Sequence, residues 1–335
     1  MEIKKIYSNR SYVHWPSAHL LHEWEEDFSE VFNAPIVSSR IKEMITDNRF
    51  SRKLLSKSQV VNISRKLDSA FSSQKKALLF EMLPKSHFSY STGTNIIPMI
   101  IDYWNSQDPA SFYKVYKNCK LVGISNLEAF SFLKKDKCPL EIIHMPLSLP
   151  DRYRLNGTES FTKKYDIVLA GRRNKVLWKH LQVFSEKHSE IEYLYQENIK
   201  GRLCYVSNKN GIIGEFQQRS EYINLLRACK VGFYSTPGMD GAKHTGGFNP
   251  VTPRFLELIA SGCHIVGRYP DNEDTNFYKM DSICPNITNY EQFEALLLQY
   301  LKGSSPCLNS YSKYLEAHYT SKRAYLLKDI LNKLN

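Results

Sequence analysis

The sequence has no CxxC pair and no cluster of cysteine and histidine at zinc spacing. Its seven cysteines, at 119, 138, 204, 229, 263, 284 and 307, are scattered along the chain. Cys229 and Cys263 sit in apolar runs and read as plain core thiols. Such an odd, dispersed set suits a reducing cytoplasm. No stretch approaches the roughly 20 apolar residues that a membrane-spanning helix needs. Met1 to Tyr7 carries charge and no long apolar run, so it is not expected to be a signal peptide. GxGxxG and Walker patterns are missing, and there is no internal repeat or low-complexity segment. These absences leave a globular chain, expected in the cytoplasm and attached to a membrane from outside at most.

What is present is length and positive charge. At 335 residues the chain can bury ample core without disulfides or metal, and two domains are expected. Its formal net charge of +11 favours a polyanionic partner: nucleotide phosphates, nucleic acid or an anionic membrane surface. The stretch 49–76 concentrates that charge, with Arg49, Arg52, Lys53, Lys57, Arg65, Lys66, Lys75 and Lys76 against Asp68 alone. Leu54, Leu55, Val60, Val61, Ile63 and Leu67 interleave with the basic residues. The stretch reads either as a basic amphipathic surface for anionic lipid or as an ordinary helix pair with a basic polar face.

Strand and helix patterns alternate in both halves. In residues 1–155, strands are expected at 3–7, 76–82, 120–125 and 141–144, and helices at 19–32 and 127–135. The polar, aromatic loop 83–94 follows the carboxyl end of a buried strand. Two prolines, Pro146 and Pro150, and a polar run to Thr162 suggest a linker. In the second unit, strands are expected at 166–170, 191–195, 202–207, 231–234, 263–267 and 281–284. Helices are expected at 176–188, 221–229, 253–262, 290–301 and 310–334. The fold class is therefore α/β, with two Rossmann-like, doubly wound domains.

The most informative stretch runs from Gly246 to Gly262. Thr252 is placed to N-cap a helix with its hydroxyl, and Pro253 follows at the first helical position. Phe255, Leu258, Ile259 and Gly262 share a core-facing side, which puts Arg254, Glu257 and Ser261 on an exposed polar face. A loop and a helix start beside a strand end form an anion site in α/β sheets. At the end of strand 166–170, Gly171-Arg172-Arg173-Asn174-Lys175 supplies close backbone approach and charge, so Arg172 and Lys175 can hold a pyrophosphate. Glu257 can accept from a ribose diol, or it can form an i, i+3 pair with Arg254.

On these residues, the segment Tyr222 to Tyr269 resembles the donor-binding part of GT-B glycosyltransferases, and Gly171-Arg172 stands where that family has its first phosphate-binding loop. The resemblance implies two domains facing a cleft: residues 1–155 for the acceptor, 156–309 for the nucleotide sugar, and 310–335 as a helix crossing back to the first domain. It implies transfer of a sugar from a nucleotide diphosphate sugar to a glycan or lipid-linked acceptor. Assembly of bacterial surface polysaccharide is the expected setting, in the cytoplasm and at the inner face of the membrane. By position, Glu257 resembles the glutamate that binds the donor ribose, and Arg172 and Lys175 the pair that holds the diphosphate. Gly171, Asn249, Val251, Thr252 and Arg254 complete the donor set, with backbone amides around Val251 and Thr252 adding to it. Many retaining members carry a glutamate where this chain has Asn249. Val251-Thr252-Pro253-Arg254-Phe255 is similar to fucosyltransferase-like inverting members, with Pro253-Arg254 replacing a Glu-Lys pair. Retaining and inverting outcomes both stay open. No metal or other cofactor is expected, since the basic pair and a helix dipole can neutralise the leaving diphosphate. His87, Asp102 and His244 are the candidate catalytic residues, with His14 and Glu23 as further first-unit candidates for a base. The rival readings are a sugar-nucleotide epimerase or hydrolase of the same fold, and a basic nucleic-acid binder. The reading adopted has no nucleic-acid partner.

Overall fold

A computed structural model describes residues 1–8, 10, 18–38, 76–84, 95–104, 106–216, 218–241 and 245–334. His14, His87, His244 and all of the basic stretch except Lys76 lie outside the described residues. The chain divides into two compact units, Met1–Asp151 with Thr320–Asn335, and Arg152–Tyr319.

The first unit holds a parallel sheet of β1 (Ile3–Tyr7), β2 (Ile36–Val37), β3 (Lys76–Glu81), β4 (Ile96–Ile100), β5 (Val122–Ile124) and β6 (Ile142–His144), ordered β2-β1-β3-β4-β5-β6. Strands β3 and β4 are buried along their whole length, as expected for a sheet covered on both faces. Helix α1 (His19–Phe32) buries Leu20, Leu21, Trp24 and Phe28 at helical spacing against this sheet. Helices α2 (Pro109–Tyr116) and α3 (Leu127–Lys135) start at Asp108 and Asn126, whose side chains accept from the Ser111 and Ala129 amides. The sequence pattern did not mark α2.

The second unit holds β7 (Tyr165–Leu169), α4 (Lys175–Lys187), β8 (Tyr193–Ile199), β9 (Arg202–Ser207), β10 (Gly211–Gly214), α5 (Arg219–Arg227), β11 (Cys229–Ser235), α6 (Pro253–Ala260), β12 (His264–Arg268), α7 (Glu273–Phe277), α8 (Tyr290–Lys302) and α9 (Leu308–Leu315). Its sheet runs β10-β9-β8-β7-β11-β12. Strands β8, β7, β11 and β12 are parallel, while β9 and β10 extend the sheet antiparallel. The order reverses between β7 and β11, which is where open α/β sheets bind ligands, outside the strands' carboxyl ends.

Two expected elements differ. The strand expected at 281–284 is a 3-10 turn, Met280–Ser282, closed by the Ile283 amide donating to the Met280 carbonyl at 3.0 Å. The single helix expected over 310–334 is two: α9, in the second unit, and α10 (Thr320–Lys333), in the first. The start of α10 is set by groups distant in sequence. The first amides of α10 are met from outside the helix: Thr320 donates to the Leu149 carbonyl at 2.9 Å, and Ser321 donates to Asp151 through its amide at 2.8 Å and its hydroxyl at 2.6 Å. Ala324, Leu327 and Leu331 of α10 then join the first unit's core beside α1.

Candidate functional site

The candidate site lies in the second unit, where the loops after β7, β11 and β12 leave neighbouring strand ends. The loop after β7 opens with Gly171 at φ +81°, a left-handed conformation that favours glycine. A Cβ there would stand 2.1 Å from a terminal nitrogen of Arg254, so the Arg254 guanidinium occupies the space that the missing side chain leaves. This contact joins the start of α6 to the β7 loop across the switch point. Burial works against the Arg254 charge, but the neighbouring Tyr222, Glu257 and Tyr205 outweigh it and hold the pKa above its ordinary value. Its Nε makes no hydrogen bond. Arg172 and Lys175 are exposed on the same loop. Lys175 is the first residue of α4, whose N-cap is Asn174: the Asn174 Oδ1 accepts from the Val176 and Leu177 amides at 2.9 and 3.0 Å. Arg173 turns its guanidinium to the rings of Trp178 and Tyr195, 4.8 and 5.4 Å from their centroids.

Helix α6 does not present the exposed polar face expected of it. All residues from Phe255 to Ser261 are buried, Glu257 at 3% exposure. The sequence suggested Arg254 as the i, i+3 partner of Glu257. Instead, Arg219 of α5 donates to Glu257 Oε1 at 2.6 Å, and the Tyr222 hydroxyl donates to Oε2 at 3.2 Å. A buried carboxylate needs such partners. Arg219 carried no signal in the sequence, because its partner is 38 positions away. The helix ends as read: Gly262, at φ +59°, donates to the Ile259 carbonyl and Cys263 to the Leu258 carbonyl, the Schellman pattern.

Thr252 is the N-cap of α6, with extended backbone, but its hydroxyl makes no capping hydrogen bond, contrary to expectation. The Thr252 amide donates to the Tyr234 hydroxyl at 2.9 Å. That backbone donor, expected to face a diphosphate, is therefore already engaged. Val251 is buried. Asn249 serves the loop itself: its Oδ1 accepts from the Thr236 hydroxyl at 3.2 Å, and its carbonyl from Asn272 Nδ2 at 3.1 Å.

One cluster at this edge was not singled out from the sequence. Asp240, in the loop after β11, accepts from Arg268 Nε at 2.8 Å and Arg268 Nη2 at 2.6 Å. The same carboxylate accepts from Asn174 Nδ2 at 2.6 Å. Burial raises the Asp240 pKa, but the hydrogen bonds from Arg268 and Asn174 and the Arg268 charge hold it below the ordinary aspartate value. The available signals were the Asp240-Gly241 turn pair and a charged residue ending strand β12.

In the first unit, Asp102 is half-buried beyond the carboxyl end of β4, and its amide donates to the Met82 carbonyl at 2.7 Å. Glu23 is buried on α1. At the end of β1, Ser8 and Arg10 donate to buried Glu25, at 2.6 and 2.9 Å.

No family model matches the sequence, and no curated protein matches it. Solved structures do match. The apo structure of OtsA aligns over 99% of this chain and 99% of its own, with a TM-score of 0.54 and 9% identity. An alpha,alpha-trehalose-phosphate synthase (UDP-forming) from Burkholderia vietnamiensis aligns over 86% of this chain and 78% of its own, with a TM-score of 0.51 and 11% identity. For a chain of the GtfA/B complex the TM-score is 0.46 at 9% identity, covering 82% of this chain, which spans only 60% of that relative's length. The likeness to the first two runs through both units and is one of fold. With two Rossmann-like sheets in one chain and the OtsA and trehalose-phosphate synthase structures matching across both, the protein has the GT-B fold.

Proposed function

We propose that the protein is a glycosyltransferase that moves a sugar from a nucleoside diphosphate sugar to an acceptor. The observation that carries the reading is the seating of the Arg254 guanidinium against Gly171, at the switch point of the second unit's sheet. It brings the Arg254 charge to the loop that already carries Arg172 and Lys175. A diphosphate leaving group develops negative charge as the glycosidic bond breaks, and fixed cations stabilise that charge most where water is scarce. The three side chains supply it without metal.

Glu257 is the proposed ribose acceptor. Arg219 and Tyr222 each engage one of its oxygens, and an ionised carboxylate has lone pairs for further hydroxyl donors. Uridine is the first nucleoside to try, because the trehalose-phosphate synthase of like fold is UDP-forming. The first unit takes the acceptor, with Asp102 the described candidate for the base that deprotonates its hydroxyl. A glycan or lipid-linked acceptor of a bacterial surface polysaccharide, reached from the cytoplasmic face of the membrane, is the setting proposed. Among the described residues no helix is long and apolar enough to cross a membrane.

The test is binding and turnover. A panel of UDP, GDP, ADP, CDP and dTDP, with the matching nucleotide sugars, is titrated against the wild type, Arg172→Ala and Glu257→Gln. Arg172 is exposed, and a thermal melt of each variant checks that it is folded. Losing one charge-assisted contact to the diphosphate should weaken binding about tenfold or more. If neither variant changes nucleotide affinity or donor turnover, this site is wrong. Free sugar or an isomerised nucleotide sugar formed without acceptor would favour a hydrolase or epimerase of the same fold.

A further inference from the structure

Three chain segments meet at one carboxylate in the second unit. Asp240 belongs to the long loop between β11 and α6, Arg268 is the last residue of β12, and Asn174 is the N-cap of α4, in the loop after β7. The loops after β7 and β11 leave the two strands on either side of the switch point. The geometry points to Asp240 as a positioning residue of the donor site: by holding Arg268 and Asn174 it fastens the loop after β11 to the start of α4 and fixes both in register for a nucleoside diphosphate.

Several features separate this contact from an ordinary surface ion pair. The Asp240 and Arg268 side chains are each only 16% exposed. The pair is bidentate, two N–H groups onto two carboxylate oxygens, which restricts angle as well as distance. Arg268 is itself anchored, since Nη1 donates to the Ile287 carbonyl at 2.9 Å. Asn174 divides its amide group between two duties: Oδ1 caps α4 while Nδ2 reaches Asp240. Asp240 therefore acts on the start of α4 through Asn174, one residue from Lys175. Asp240 sits at φ +57°, a left-handed conformation in which aspartate and asparagine are enriched among non-glycine residues. Asp240 also offsets the Arg268 charge at this edge of the sheet.

The inference rests on the donor-site reading above, and the test separates the two. Asp240→Asn keeps the left-handed backbone and removes the charge; Arg268→Gln removes the partner; the double variant removes both. The panel of nucleoside diphosphates is titrated calorimetrically well below every variant's Tm, and amide hydrogen exchange is followed with no ligand present. Each single variant should raise the Kd of the tightest-binding diphosphate about tenfold, since small misplacements of binding groups cost this much or more. The double variant should match Asp240→Asn rather than multiply the two singles, because Arg268→Gln acts through a pair that Asp240→Asn already breaks. kcat at saturating donor should fall less than affinity. Exchange should quicken together in 236–241, 245–252 and the first turn of α4. Wild-type affinity in Asp240→Asn, or multiplied effects in the double variant, would overturn the positioning role while leaving the donor site standing if Arg172→Ala still binds weakly. Coupled exchange in a wild-type protein that binds no diphosphate would overturn the donor site, and with it the positioning role.

Discussion

Placing a Cβ at Gly171 should separate stability from binding. The left-handed backbone costs a non-glycine residue about 1–2 kcal/mol, and the atoms that the new Cβ meets are the far end of the Arg254 side chain, which can move aside. Gly171→Ala is therefore expected to fold with a modestly lowered Tm, yet to bind nucleoside diphosphate as weakly as Arg254→Ala; a thermal melt and a titration on the same sample check both halves. His144 offers a residue-scale test in pH. Burial drives its pKa from 6.5 down to about 4, partly offset by the Nε2–H that donates to the Ser125 carbonyl at 3.2 Å, while the Arg323 charge depresses it further. With the folded pKa below the unfolded one, the stability contribution is complete above pH 6.5 and is lost as pH falls toward 4. That shift corresponds to about 3 kcal/mol. Denaturant midpoints of the wild type should fall over this window, and those of His144→Gln should fall less.

At the scale of elements, the second unit depends on how α5 and α6 are tied. The Arg219–Glu257 pair, 11% and 4% exposed, is a buried polar link between them, beside the Tyr222–Glu257 bond. Removing one partner leaves an uncompensated buried charge, worth about 3–5 kcal/mol, whereas removing both is far milder. Arg219→Met should lower stability steeply, and Arg219→Met with Glu257→Gln should recover most of it; equal stability in the single and double variants would show that the link does not matter. Local signals account for most element starts and stops in this unit. The Gly262 stop of α6 was legible because a Schellman end needs only glycine and its neighbours. The α9–α10 break was not, because the groups that start α10, Leu149 and Asp151, lie about 170 positions away in sequence.

For the molecule as a whole, the net charge of +11 suits both a nucleic-acid binder and a nucleotide-dependent transferase. Salt distinguishes them. Nucleic acid held by many phosphate contacts loses about 10³–10⁵ in affinity between 50 and 200 mM salt. A diphosphate met by three fixed side chains should lose far less, so its Kd should rise only severalfold over that range, and duplex DNA or RNA should not displace it.

The α/β class and the two Rossmann-like sheets were readable from alternating apolar segments, because period and turn chemistry are local properties of a chain. The residues of the candidate site were readable as loops at strand ends, for the same reason. Partnership was not. Glu257 looked exposed because helical periodicity divides a helix into faces but says nothing about which faces are covered; α6 is buried on its polar side by α5 as well as on its apolar side. Asp240, Arg268 and Asn174 carried no common signal, since they are 28 and 66 positions apart and meet only where three strand ends converge. The sequence by itself determined most of the elements, their order and the chemistry offered at the edge of the sheet. Only the tertiary structure decided which charge faces which, because Coulombic and hydrogen-bonded pairing acts through space and depends on distances that sequence separation does not encode.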